Sequence, residues 1–404
     1  MSLPLFDSFL STAAMDRAFS DDSLVQAMLD FEAALARAQA AEGLIPAAAL
    51  AAIVPACRVE HYDLPALAAA SRSAGSLAIP LVQALKERVA QADAQASLHV
   101  HWGSTSQDVI DTGMVLVTRS ALGQLDAALA AITAAALDLA RQHLHTPVLA
   151  RTLLQPAQVT ALGLKFAQWA APLCRSRRRL REAASHGLAL QLGGAVGTLS
   201  MMGGHGAAVT RRMADELRLY APVAPWHTQR DDWVRMGLEL AVLTGSLGKI
   251  ATDLSLMAQA EVGELAEPSA PGRGGSTAMA HKRNPVSCMT ALAAAARAPH
   301  RAAALLAAMP QAHERGLGNW QAELAEWPGL FISAHGAAHA LCDALGGLQV
   351  HTERMRQNIE ALHGSVFTAP DFDMQAAAAP AAALAGRLLA ALDTDLDTLP
   401  GAPW

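Results

Sequence analysis

The sequence predicts an all-α protein built around a bundle of long helices, with three domains in a row. Two observations carry this. The chain is 52% hydrophobic and very rich in alanine but only 4% aromatic and 16% charged, which suits packed helices better than sheets. Apolar residues also recur at helical spacing over unusually long runs; as one helix, Val109 to about Leu144 spans roughly 50 Å, the length of a bundle element. With 404 residues there is chain enough for two or three domains and a substantial core.

In order, Ser20 caps a helix whose first turn holds Asp21 and Asp22 and whose apolar face is Leu24, Met28, Phe31, Leu35 and Ala38. Gly43 and Pro46 stop it. Shorter helices fill 47–95, with Pro80 placed to open one, so 1–105 reads as a helical N-terminal domain. Long helices follow from Val109, from Pro156 to about Ser185, over His227 to Gly263, from Pro285 to about Met309 and from about Trp320 to Leu345. They make 106–345 the central bundle, interrupted by a loop at 265–284. The remainder, 346–404, reads as a short C-terminal domain of one or two helices broken by Pro370 and Pro380.

Several function classes are disfavoured. A net charge of −6 suggests neither a nucleic-acid nor a membrane-surface partner. Apolar runs shorter than about eighteen residues without a charge or proline predict no membrane span. Cys57, Cys174, Cys288 and Cys342 have no zinc or redox spacing, and Met1 to Phe19 lacks a basic, then apolar, leader pattern. A cytoplasmic protein with reduced thiols and no metal site is expected. Arg175 to Arg181 is a basic run expected to be a solvated face or a set of subunit-edge ion pairs.

The chemistry-bearing stretch is Gly274-Gly275-Ser276-Thr277-Ala278-Met279-Ala280-His281-Lys282-Arg283-Asn284-Pro285. Its glycines give hinge freedom, and Pro285 suits the first position of a helix whose positive end would lie behind the loop. Ser276, Lys282 and Asn284 supply a hydroxyl, an ammonium and an amide. That is a set for holding a carboxylate and moving a proton beside it. A second cluster, His101-Trp102-Gly103-Ser104-Thr105-Ser106-Gln107-Asp108, opens the longest helix. Capping explains its hydroxyls, and anion binding at the same helix start is the functional reading. A third stretch is Ala150-Arg151-Thr152-Leu153-Leu154-Gln155-Pro156-Ala157.

These three blocks, in this order, resemble the signature segments of the fumarase/aspartase superfamily, and the resemblance covers nearly the whole chain. Ala280 departs from the superfamily's loop proline. By that resemblance Ser276 transfers the proton, with His101 or His281 in reserve, and Lys282 and Asn284 hold a substrate carboxylate. It likewise implies that Ser104, Thr105, Ser106, Arg151, Thr152, Gln155, Gln229, His281 and Arg315 line the substrate, and that Gly193 to Thr198 is a turn between long helices. It implies a small polycarboxylate substrate, no metal or organic cofactor, and a homotetramer whose sites each draw on three chains.

Two departures narrow the reading. Leu153 stands where the superfamily's lyases carry a histidine that helps protonate the leaving group, and Met289 where they carry its supporting glutamate. A carboxylate with a pKa near 4 needs no such proton, so the pair suits a lactone-forming branch that adds a carboxylate to a diene acid in aromatic-acid breakdown. The alternatives are an adenylosuccinate lyase-like eliminase and a non-catalytic crystallin-like protein. Trp320 and Leu324, standing where the former binds phosphate, disfavour it; Ser276, Lys282 and Asn284 disfavour the latter.

Overall fold

The computed structural model describes residues 5–279 and 281–404; Ala280 lies outside the described residues. After two short helices, α1 (Leu5–Ser8) and α2 (Ala13–Ala18), the capped helix expected from Ser20 is α3 (Asp21–Ala41). Ser20 Oγ accepts from Ser23 N at 3.2 Å, and the chain leaves the helix through Gly43 at φ +70°. Helix α4 (Leu50–Ala56) packs on it, α6 (Ala78–Ala92) packs on α4, and α5 (Leu64–Ala74) on α6. Their core is built on Phe31, Leu35, Ile53, Leu81 and Leu85. It also takes Leu190, Leu192, Val209, Met213 and Leu217 from mid-chain, because α9 (Gly206–Leu217) packs on α3. The first domain is therefore not sealed at residue 105; a segment between two bundle helices returns to complete it.

The bundle consists of α7 (Ser106–Gln142), α8 (Leu162–Gly187), α10 (Asp231–Met257), α11 (Val286–Ala308) and α12 (Asn319–Gly346). Trp233 and Trp327 stack at its centre with ring centroids 3.8 Å apart, flanked by Phe331, Leu240 and Leu243. Gly248 allows α10 and α11 to meet closely: a Cβ there would lie 2.5 Å from that of Ala295.

Several expectations are corrected. The helix read from Pro156 starts only at Leu162. Residues before it form a hairpin, β1 (Pro147–Thr152) with β2 (Gln155–Ala161), in which Pro156 stands opposite Arg151. The helix read over His227 to Gly263 is the shorter Asp231–Met257, and Pro285 sits just before α11 rather than in its first turn. Two-residue strands β3 (Leu265–Ala266) and β4 (Gln349–Val350) tie the loop entrance to α13 (Thr352–Glu360). Pro380 does not break the last helix, α14 (Met374–Asp397), whose Leu389 and Leu392 are buried in the bundle core. Packing of that face outweighs one lost backbone bond.

The basic run of α8 is solvated in part, at exposed Arg175 and Arg179, and paired in the rest. Arg177 and Arg181 converge on Asp126 of α7 at 2.9 and 2.7 Å. Arg178 donates to the Asp395 and Thr398 carbonyls and Arg181 to that of Pro400, so the run latches the C-terminal tail. Contrary to expectation, α7, α10 and α14 are long and apolar enough to cross a membrane by length and composition. For α7 and α10 the bundle core accounts for that composition, since each buries a long row of apolar side chains in it.

The two cores meet at Arg230, a fully buried cation. Its guanidinium donates to Asp111 Oδ2 of α7 at 2.7 Å and to both carboxylate oxygens of Glu323 of α12, while the Trp226 ring covers it at 4.3 Å. Asp111 accepts further bonds from Trp320 Nε1, Gln107 and Gln191. Removing one partner of such a set strands the others in a dry interior. Arg230→Met, close in length but uncharged, is expected to lower unfolding stability by about 3–5 kcal/mol in urea titrations. An unchanged midpoint would show that the carboxylates are satisfied without it.

Candidate active site

Three groups of side chains come from three places in the chain. The first lies at the start of α7. Thr105 caps the helix in a reciprocal box with Asp108, whose Oδ2 accepts from Thr105 N at 3.0 Å. Asp108 is buried and also accepts from Gly193 N, Gly194 N and His227 Nε2 at 3.0, 2.9 and 2.6 Å. The glycine turn is thus an anion nest filled by the protein's own carboxylate. Gly194 packs so tightly on Gly103 that a Cβ would come 2.7 Å from its carbonyl oxygen. Arg315 closes over the turn, donating to the Gly194 and Ala195 carbonyls at 2.7 and 3.3 Å.

His101 sits beside this turn at φ +62°, an uncommon conformation for a residue with a side chain. Its Nδ1 is 2.6 Å from Glu32 Oε1 of α3 and 3.0 Å from Ser104 Oγ. Burial disfavours the imidazolium, but the charge and hydrogen bond of Glu32, helped by Asp108, more than offset it and raise the pKa. With the Nδ1 proton held by Glu32, Nε2 makes no hydrogen bond among the described residues, which leaves it available for proton transfer.

The second group is the lysine loop. Its ends are zipped by Asn284 N donating to the Gly274 carbonyl at 2.7 Å, at a point where a Cβ on Gly274 would lie 2.5 Å from Asn284 O. Between them Ser276 Oγ accepts from Ala278 N and Met279 N at 3.3 and 3.1 Å; His281 and Lys282 are exposed. The positive end of α11, expected to face an anion in the loop, is occupied. Glu267 takes the Ser287 and Cys288 N–H groups at 3.1 and 2.9 Å. A cavity of about 440 Å³ is lined by Lys282, Asn284, Arg273, Ser269, Gln259 and Gln349. None of His101, Ser104, Ser106 or Arg315 lines it, nor does any described hydrogen bond join them to Ser276, Lys282 or Asn284.

The third group is the hairpin. Arg151 is engaged with buried Glu264 through two bonds of 3.0 and 2.9 Å, and Asn358 also donates to Glu264. Thr152 and Gln155 flank a two-residue turn in which Leu153 and Leu154 both have positive φ, +50° and +64°, where Asn-Gly is the usual choice. Leu153 is 96% exposed and Met289 56% exposed. Gln229 lies elsewhere, on a cavity of about 210 Å³ beside Pro225, Trp226 and Tyr220. Among the described residues, neither these cavities nor any hydrogen bond gathers the three groups within one chain.

Sequence reasoning passed over Glu32, Asp108, His227, Glu264, Glu267 and Arg273. Two had a legible signal. Glu32 falls on the apolar stripe, four residues after Met28 and three before Leu35, where a charge needs a partner. Asp108 stands three residues after Thr105, the spacing of a capping box.

A family model described as lyase matches residues 10–299. The chain is 51% identical over 363 residues to 3-carboxy-cis,cis-muconate cycloisomerase of Bradyrhizobium diazoefficiens, covering 90% of this chain and 80% of that one. It is 48% identical to the enzyme of the same name from Pseudomonas aeruginosa, covering 90% and 79%. The crystal structure of 3-carboxy-cis,cis-muconate lactonizing enzyme from Pseudomonas putida superposes with a TM-score of 0.86 at 42% identity, over 98% of this chain and 90% of that one.

The His101–Glu32 pair has a checkable pH signature. In Glu32→Gln the imidazole loses the charge that raises its pKa while its burial remains, so NMR titration should find the pKa below that of the wild type and below an ordinary histidine's. The stability that the wild-type pair contributes is present below the unfolded-state pKa and lost as pH rises through the raised folded value. An unmoved titration in the variant would remove Glu32 from the role.

Proposed function

Because the chain belongs to the lyase family of the fumarase/aspartase superfamily, we propose that it is a cycloisomerase interconverting 3-carboxy-cis,cis-muconate and 4-carboxymuconolactone. The observation that carries the choice is the pair Leu153 and Met289, both apolar where the superfamily's lyases protonate a departing group. In the lactonising direction a substrate carboxylate oxygen forms the new C–O bond. The electron pair of the attacked double bond moves to the carbon alpha to a second carboxylate. The resulting aci-carboxylate is stabilised by cations and N–H donors until the carbon takes a proton. Reversal expels a carboxylate that leaves unprotonated.

Ser276 is the proton donor in this reading. Its Oγ already accepts two backbone N–H bonds, an arrangement that favours the alkoxide left after donation. Its hydroxyl is regained from solvent between turnovers. His101, with Nδ1 fixed by Glu32, is the reserve donor. Lys282 and Asn284 hold a carboxylate, and Ser104, Ser106 and Arg315 meet the others.

A homotetramer completes the site. Exposed Val242 on α10 and Met289, Leu292 and Leu306 on α11 give those helices an apolar outer face suited to a second copy. Four unpaired cysteines, three of them buried, support a reducing, cytoplasmic setting.

Purified protein is expected to bleach the conjugated diene of 3-carboxymuconate in the ultraviolet, with little action on unsubstituted muconate and none on adenylosuccinate. Ser276→Ala should lower turnover by about a hundredfold or more while changing binding far less. Near-normal turnover in that variant moves the role to His101; absence of diene loss in the wild type removes the reading.

A further inference from the structure

The lysine loop bears the groups proposed to act on substrate, and bonds within it, such as those from Ala278 N and Met279 N to Ser276 Oγ, are local. Its anchorage lies at the base. Glu267, 7% exposed, reaches from the loop's entrance to its exit and accepts from Ser287 N and Cys288 N at the start of α11. Arg273, the last side chain before Gly274, donates to Ser287 Oγ on the same turn of helix. The same guanidinium lies 3.7 Å from Glu267 Oε2 and 3.9 Å from Asp343 Oδ2 of α12. Arg273 also lines two cavities: the one beside Lys282 and Asn284, and one of about 570 Å³ walled by Ser11, Thr12, His339 and Asp343. Entrance, exit and a neighbouring bundle helix therefore converge on one cation.

We infer that Arg273, working through Glu267 and Ser287, is the positioning residue that holds the loop's two ends in register and so places Lys282 and Asn284 at the substrate. The other described ties between the loop's ends, Asn284 N to the Gly274 carbonyl and Asn284 Nδ2 to the Gly275 carbonyl, both run through Asn284 and leave a hinge there. A guanidinium bridging both strands at the base converts that hinge into a fixed frame, since its planar fork reaches several acceptors at once. A lysine offers one point of attachment and reaches one of them at a time. Arg273 touches no reacting atom here; its effect on turnover passes through the loop. The role rests on the cycloisomerase reading only where turnover is the readout.

Trypsin reads the clamp without substrate, because the exposed loop carries its own cleavage points after Lys282 and Arg283. In the full chain, Arg273→Ala should raise the rate of cutting at those two bonds, followed by mass, by about tenfold with an unchanged thermal midpoint. With 3-carboxymuconate the same variant should lose roughly a hundredfold in kcat, the scale of a misplaced catalytic group, and Arg273→Lys should recover part of both losses. If Arg273→Ala does not fold, Ser287→Ala is read the same way and should show smaller changes in the same direction. Wild-type cutting rates together with wild-type kcat in the folded variant overturn the inference. Should the wild type itself leave 3-carboxymuconate untouched, the functional reading fails, and the trypsin rates still decide the clamp.

Discussion

The buried pairing of Arg230 with Asp111 and Glu323 is the joint on which the site's geometry turns. It ties α7, α10 and α12 at a point where no water can compensate a missing partner. Asp111 stands one helical turn after Asp108, on the same face of α7. One carboxylate fixes the core of the bundle; the other, a turn earlier, fixes the glycine turn and His227 and with them the surroundings of His101 and Arg315. Core packing and site geometry are thus set by the same few residues of one helix.

The features that look built for anions are largely satisfied from within. The start of α7 is boxed by Thr105 and Asp108, the glycine turn is filled by Asp108, and the start of α11 by Glu267. In the proposed reading, recognition of a polycarboxylate falls to side chains that remain exposed or partly so: Lys282, Asn284, Ser104, Ser106 and Arg315. Lys282 and Asn284 lie on a loop, whereas Ser104 and Ser106 stand at the boxed start of α7. That division, a filled frame carrying more accessible side chains, suits a reaction whose charge builds up only during turnover.

Much of the fold was legible because long amphipathic helices write their period plainly, and the three blocks because their residue order is specific. The errors have physical causes. Pro156 reads as a helix start, but it belongs to a hairpin whose pairing partner, β1, is visible only once the chain has folded. The cut at residue 105 missed that α9 returns to α3, a long-range contact with no local sign. Pro380 reads as a breaker, yet leucines on the packed face hold α14 together past it. The arginines of α8 gave no hint that their partners were Asp126 and the C-terminal tail, since an ion pair between distant segments leaves no spacing to read.

Within one chain no described cavity or hydrogen bond gathers the His101 cluster, the lysine loop and the Leu153 hairpin tip, while the proposed chemistry needs a donor, cations and carboxylate partners around one small acid. A site shared between copies reconciles the two. The most direct measurement is complementation: His101→Ala and Ser276→Ala, each inactive alone, denatured together in equal amounts and refolded. If the two residues of one site come from different subunits of a symmetric tetramer, random mixing leaves both intact in roughly a quarter of the sites, and about a quarter of wild-type activity returns. Recovery of nothing, under conditions where the wild type refolds to full activity, would contradict a shared site and require that a single chain build it.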